Sequence, residues 1–259
     1  MYPTLLRVGF LSALAYRAEF FIWVLTTNLP LINLALWSAV ARDHPVGHYG
    51  QADFAAYFLA TLLVRLLTGC WLVWELTMEI RQGTIAMRLL RPVHPLIQFS
   101  AENLAAVPMR AVVSAPVALA ILFAVGADHV THDPVLWLAL PFLILGAWVM
   151  TFLVMALVGT AAFFVESAGS LYEVWLGLFT IFSGYLVPLD LFPGWLRSLA
   201  DVLPFRLMLG LPVDALIGRL SHAELVRGFE WQAGYILLTW LLVRWEWRAG
   251  IRRYAAFGG

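Results

Sequence analysis

Lysine is absent: all sixteen basic residues of this 259-residue chain are arginine. A Walker A phosphate loop needs its lysine to reach the β and γ phosphates, so the chain cannot itself be a P-loop ATPase. A pyridoxal Schiff base is excluded for the same reason. Cysteine is nearly absent too, and the single Cys70 can build neither an internal disulfide nor a cysteine-rich metal site. Charge is scarce, at 12% of residues, about half the share of a soluble domain. Sixteen Asp plus Glu balance the arginines to a net charge of zero, without the basic field of a nucleic-acid binder. What abounds is apolar: 62% of residues are hydrophobic and the mean hydropathy is +0.84. One core of this size cannot hide that much apolar surface. Lipid must be the solvent for much of the chain.

A bilayer core of about 30 Å takes about 20 apolar residues in a helix. Runs of that kind cover residues 20–41, 54–74, 107–127 and 135–164. A shorter run at 171–187 stops at Pro188, and a last one at 231–243 continues to Trp247 with tryptophan at both ends, as interfacial anchors would. That predicts six spans with both termini on one side. Ten arginines then fall on the side of the termini and five on the other, which predicts cytoplasmic N- and C-termini. Periodicity within the spans says nothing further, because a helix in lipid is apolar nearly all round.

Two stretches are not simple spans. Residues 75–100 form the most polar loop, cytoplasmic in this topology. Gly83 can close a helix that extends the second span, with positive φ available there. Thr84 can cap a short helix over 85–90 before Arg91-Pro92 ends it. Composition leaves two readings level: an interfacial helix whose Arg88 and Arg91 touch anionic lipid, or a knob for a cytoplasmic partner. The second stretch, 188–230, is broken by Pro188, Pro193, Pro204 and Pro212. Short helices over 194–203 and 205–217 fit between them. A re-entrant pair of half-helices is one reading, since irregular backbone at membrane depth needs protein cover. A folded outer cap is the other, and Trp195 and Arg197 suit it.

Single residues add little chemistry. Arg65 lies near the middle of the second span, where an arginine costs about 2.5 kcal/mol or more and marks either a polar pathway or a buried structural group. Asn28 and Asn33 of the first span are its candidate partners. His48 and Asp53 have the H-x4-D spacing of acyltransferases, and His129, His132 and Asp133 could meet a metal, but no further block of either kind accompanies them. No G-x-S-x-G elbow or H-E-x-x-H zinc site occurs. A secondary transporter would need broken helices in matching positions of both halves, and only the second half shows such a break. Both the transporter and an integral membrane acyltransferase stand as alternatives.

Several motifs in their order resemble the membrane-spanning permease subunits of the type-2 ABC transporter family, which includes drug, lipid and polysaccharide exporters. Tyr16-Arg17-Ala18-Glu19-Phe20 resembles the junction between an interface helix, over 1–19, and the first span. Glu79-Ile80-Arg81-Gln82-Gly83-Thr84-Ile85, with Leu89-Leu90-Arg91-Pro92, is similar to the coupling-helix region. The fullest likeness is Phe182-Ser183-Gly184-Tyr185-Leu186-Val187-Pro188, with Leu191-Phe192-Pro193-Gly194-Trp195-Leu196 and Leu203-Pro204-Phe205, which resembles the fifth span and the re-entrant turn after it. The tail, Arg252-Arg253-Tyr254 to Gly258-Gly259, resembles one branch of the family.

The resemblance implies an all-α polytopic fold in a single permease domain over 1–259: six transmembrane helices, an interface helix, a cytoplasmic coupling helix and a re-entrant hairpin before the last span. It implies a permease half that pairs with a second permease, as homodimer or heterodimer, and rides on two copies of an ATP-binding subunit. ATP and Mg would be bound by that subunit and no cofactor by this chain. Membrane lipid is then a partner and nucleic acid is not. The expected contact to the ATPase is Arg81, Gly83, Thr84, Arg88, Arg91 and Pro92. Gly184, Pro188, Pro193, Trp195 and Pro204 shape the re-entrant segment, and Asn28, Asn33 and Arg65 are the candidates for a translocation pathway, with a structural Arg65 as the alternative. The lysine-free, Ala-, Leu- and Arg-rich composition suggests a GC-rich bacterium, hence a bacterial cytoplasmic (inner) membrane.

Overall fold

The computed structural model describes residues 2–15 and 29–257. Asn28, the junction at 16–20, the first part of the span at 20–41, and Gly258-Gly259 lie outside the described residues. The regular elements of the described residues are all helical. Two of these stretches are long and apolar enough to cross a membrane, Gln51–Gln82 and Pro134–Phe163. Leu29–Val40 and Ala168–Phe182 are apolar but shorter. Pro95–Gly126 and His222–Phe257 are longer, at 32 and 36 residues. The N-terminal helix Tyr2–Ala15 packs on Pro95–Gly126, which also packs along Gln51–Thr68, while Pro134–Thr160 lies against His222–Phe257 and Leu72–Gln82. Small residues permit close approach, as in helix pairs within lipid. A side chain at Gly159 would press on Leu76, and one at Gly146 would overlap the amide of Gln232.

Several boundaries differ from the sequence reading, each for a local reason. The second span is not one helix: Gln51–Thr68 ends at Gly69, whose backbone is extended, and Leu72–Gln82 restarts after Trp71. The backbone freed there is met from Pro95–Gly126. Arg110 donates Nη1 to the Gly69 carbonyl at 2.5 Å, and Asn103 Oδ1 accepts from the Trp71 N–H at 3.4 Å and from Cys70 Sγ at 3.3 Å. The third long helix begins at Pro95 instead of 107 and continues through Pro108 and Pro116.

The last helix begins at His222, nine residues before the tryptophan taken as its anchor, so the proline-broken segment ends at Ser221. The signal for that start is in the sequence. Ser221 and Glu224 form a capping box, with Glu224 Oε2 accepting from the Ser221 N–H at 2.9 Å and Ser221 Oγ from the Glu224 N–H at 3.3 Å. Within the broken segment, Gly194–Val202 matches the expectation. The helix expected over 205–217 splits at Leu209 into Phe205–Met208 and Gly210–Leu216. Pro212 has no N–H to give the Met208 carbonyl, so one continuous helix would leave that acceptor unmet.

Candidate functional site

Polar contacts of the described residues gather at two ends of the bundle. The first end is built on the loop between Leu72–Gln82 and Pro95–Gly126. Gly83 closes the preceding helix in the left-handed region, at φ 75°, and a five-residue helix, Ile85–Leu89, follows. Thr84 does not cap it by side chain as expected. Thr84 is itself in helical conformation and its hydroxyl reaches back to the Glu79 carbonyl at 3.5 Å.

Arg88 holds this loop together. It donates Nε to both carboxylate oxygens of Glu79 at 2.9 Å, and Nη1 and Nη2 to the two oxygens of Glu102 at 2.7 and 3.0 Å. Its guanidinium carbon lies 3.9 Å from the centre of the Phe99 ring, and the side chain is only 15% exposed. Burial works against the charge, but the hydrogen bonds to Glu102 and Glu79 outweigh it and hold Arg88 above the usual guanidinium range. Arg88, expected at the ATPase contact, is turned inward onto Glu79 and Glu102. Arg91, exposed, donates to Gln98 Oε1 at 3.0 Å, and Gln98 Nε2 donates back to the Arg88 and Val93 carbonyls.

With Ile85 fully buried beneath it, the short helix turns Met87, Leu89 and Leu90 outward, at 66%, 38% and 80% exposure. Arg81, Thr84 and Pro92 are exposed around them and Gly83 is half-buried. The rest of this end braces the loop. Tyr2 meets Ser100 at 3.3 Å, and the Tyr254 hydroxyl donates to the Gly83 carbonyl at 3.0 Å. Phe163 stands edge-on to both Trp247 and Tyr254.

The second end gathers the short loops and the proline-broken segment. Asp53 accepts from Arg219 at 2.8 Å and from the Gly50 N–H at 2.9 Å, with His129 at 3.5 Å. Asp190 pairs with Arg197 at 2.9 Å, with His48 at 3.9 Å, while Arg206 joins Asp201 and Asp214. His48 thus turns to Asp190 and Asp53 to Arg219, so the acyltransferase pair is not formed. His129 and Asp133 likewise go separate ways. Asp133 caps the next helix through the Val135 N–H at 2.8 Å and meets His222 at 2.6 Å, and the His222 contact foremost holds its carboxyl below the usual range. Trp195, with Leu199 and Val202, is exposed on Gly194–Val202, whereas Phe205 to Ile217 are almost wholly buried. Pro188, Pro193 and Pro204 each stand just before a helical turn or helix.

The irregular backbone after Ala168–Phe182 has partners that sequence reasoning missed. Three consecutive carbonyls are taken by side chains of two other helices: Gly184 by the Tyr57 hydroxyl at 2.7 Å, Tyr185 by Asn33 Nδ2 at 3.0 Å, and Leu186 by Trp37 Nε1 at 3.2 Å. Gly184 is at φ 86°, and a Cβ there would overlap the Tyr57 hydroxyl. The buried Gln232 serves the same purpose further on, donating Nε2 to the Leu207 and Leu143 carbonyls at 3.2 Å each. Asn33 is therefore not the partner of Arg65. Arg65 lies over the Phe179 ring at 5.4 Å and beside Tyr185, and its Nε is buried without a hydrogen-bond partner.

Such an assembly is a bundle of apolar helices, two of them long and apolar enough to cross a membrane, in which buried side chains repair broken backbone and one end carries a braced apolar knob. The sequence profile described as ABC-2 family transporter protein matches residues 24–258, and the chain belongs to that family. It is thus a membrane component of an ABC transporter family; such a component is not itself catalytic, and the family in general implies an ABC ATPase as partner. A search of curated proteins gives no match.

Proposed function

We propose that this chain is the permease subunit of an ATP-driven exporter, and that a separate ATP-binding subunit docks on the exposed face of Ile85–Leu89. The observation that carries this reading is the contrast within that helix. Arg88 is locked inward on two carboxylates while Met87 and Leu90 are held out in the most polar loop of the chain. An apolar pair on a braced support is poorly placed in water and well placed in a partner's cleft. Arg81, Gly83, Thr84, Arg91 and Pro92 frame the contact, whereas Arg88 positions it.

The whole chain, 1–259, acts as one permease domain with six crossings and both termini in the cytoplasm of a bacterium. The proline-broken segment is re-entrant from the outer side, its irregular backbone covered by protein as membrane depth requires. Two such permeases, identical or related, pair over two ATPase copies, which hold ATP and Mg. Nucleotide-driven closure of the ATPases moves the knobs and rocks the permeases. An amphipathic, lipid-like or drug-like substrate then leaves outward past Arg65, whose Nε is buried without a hydrogen-bond partner.

The test is Met87→Asp/Leu90→Asp. Burying two such side chains is worth about 1.5–3 kcal/mol each, so copurification of the ATP-binding subunit should fall at least tenfold while the permease keeps its thermal midpoint. Retention of the ATPase at the wild-type level would contradict the docking site.

A further inference from the structure

The end of the bundle that carries the knob also carries a cleft of about 490 Å³, between the start of Pro95–Gly126, Pro134–Thr160 and His222–Phe257. That volume is in the range of roughly 300–1,000 Å³ usual for ligand sites. Phe152, Leu153, Val243 and Trp247 make an apolar floor, and Arg244 and Arg248 stand on its rim. Both arginines are exposed, and neither has an ion-pair partner among the described residues. His94 also lines the cleft, and partial burial pushes its ring below the usual imidazole range.

The height of the rim matters. Arg244 is 22 residues along one helix from His222, whose contact with Asp133 marks the opposite end. At 1.5 Å per residue that is about 33 Å; its uncharged part, from Trp231 to Val243, is about 18 Å long and follows the exposed Glu224, Arg227 and Glu230. Between the ends, Leu237, Leu238, Trp240, Leu241 and Leu242 are all exposed on this helix, a face suited to acyl chains. Cations then begin where that apolar stretch ends. Two guanidinia without ion-pair partners, with Arg244 resting over the Trp240 ring at 5.2 Å, stand above an apolar trough and complement one kind of molecule, a phosphate carried on a hydrocarbon chain.

We propose that this cleft binds one anionic phospholipid, with its acyl chain on Phe152, Leu153, Val243 and Trp247 and its phosphate held by Arg244 and Arg248. Its assignment to the cytoplasmic leaflet rests on the orientation proposed above; the site itself does not. The lipid would wedge between the last helix and the root of the coupling loop.

Native mass spectrometry of the delipidated protein tests this, with phosphatidylglycerol or phosphatidylcholine of the same chains added back. The wild type should retain one phosphatidylglycerol in clear preference to phosphatidylcholine. Each arginine near a phosphate contributes about fivefold in affinity, so Arg244→Gln/Arg248→Gln should lose tenfold or more of that preference. Arg227→Gln/Arg252→Gln, which removes the same charge elsewhere, should keep it. Equal retention of both lipids by the wild type would overturn the proposal. So would a preference that survives in Arg244→Gln/Arg248→Gln or vanishes in both variants. The same spectra report subunit mass. A dimer that dissociates on Arg244→Gln/Arg248→Gln with lipid binding unchanged would show the cleft to be a contact between copies, and would equally overturn it.

Discussion

Replacing Arg88 with glutamate is expected to cost about 3 kcal/mol, the scale of a buried ion pair broken by removing one partner. The substitution would set a third carboxylate against Glu79 and Glu102, now held 2.7–3.0 Å from the guanidinium. It would also strip the cation from the face of Phe99. The thermal midpoint of the purified permease should fall by several degrees. Arg88→Lys keeps the charge but not the fork that grips two carboxylates at once, so it should fall between wild type and glutamate. Arg91→Glu gives up only the bond to Gln98 on an exposed side chain and should lie within about 0.5 kcal/mol of wild type, as surface changes do. Equal midpoints for Arg88→Glu and Arg91→Glu would remove the clamp. The comparison also bears on docking: loss of an ATPase after Arg88→Glu would reflect a collapsed loop, which is why the docking test uses Met87 and Leu90.

The second large effect is expected at Gly250. A Cβ there would lie 3.1 Å from the Cβ of Phe163, 2.8 Å from its Cγ and closer still to the ring edge. Phe163 cannot simply move, because it stands at 5.9 Å from the Trp247 ring and 6.0 Å from that of Tyr254, whose hydroxyl holds the Gly83 carbonyl. Gly250→Leu should therefore destabilise by about 1–3 kcal/mol through overpacking. Phe163→Ala alone should cost about 3–5 kcal/mol through the cavity it leaves. The double variant should cost less than the sum, since leucine then fills the space the ring vacated. Thermal unfolding in one detergent measures all three, and strict additivity would contradict the contact.

How much of this was legible in the sequence depended on whether the signal was local. The left-handed cap at Gly83, the short helix from Ile85, and helix starts at Gly194 and Phe205 directly after prolines follow from neighbouring residues, and all four occur. The capping box at Ser221 and Glu224 is equally local, but the apolar run by which the last span is read begins only at Trp231. The break at Gly69 had no local mark beyond one glycine, because Asn103 and Arg110, which make it tolerable, are more than thirty residues away. The inward turn of Arg88 likewise depends on Glu102, on the next helix, and the pairing of Asn33 on the Tyr185 carbonyl, 152 residues on. In lipid the apolar pattern does not say which face of a helix is buried, so only such polar partners do, and their choice is tertiary.

The central claim is that an ATP-binding subunit sits on the knob, and cross-linking tests it most directly. A photo-reactive residue placed at Leu90, 80% exposed at one end, is compared in cells with one at Trp195, 73% exposed at the other. The account predicts that Leu90 captures an ATP-binding protein and Trp195 does not. Capture from Trp195 with none from Leu90 would contradict both the docking site and the orientation.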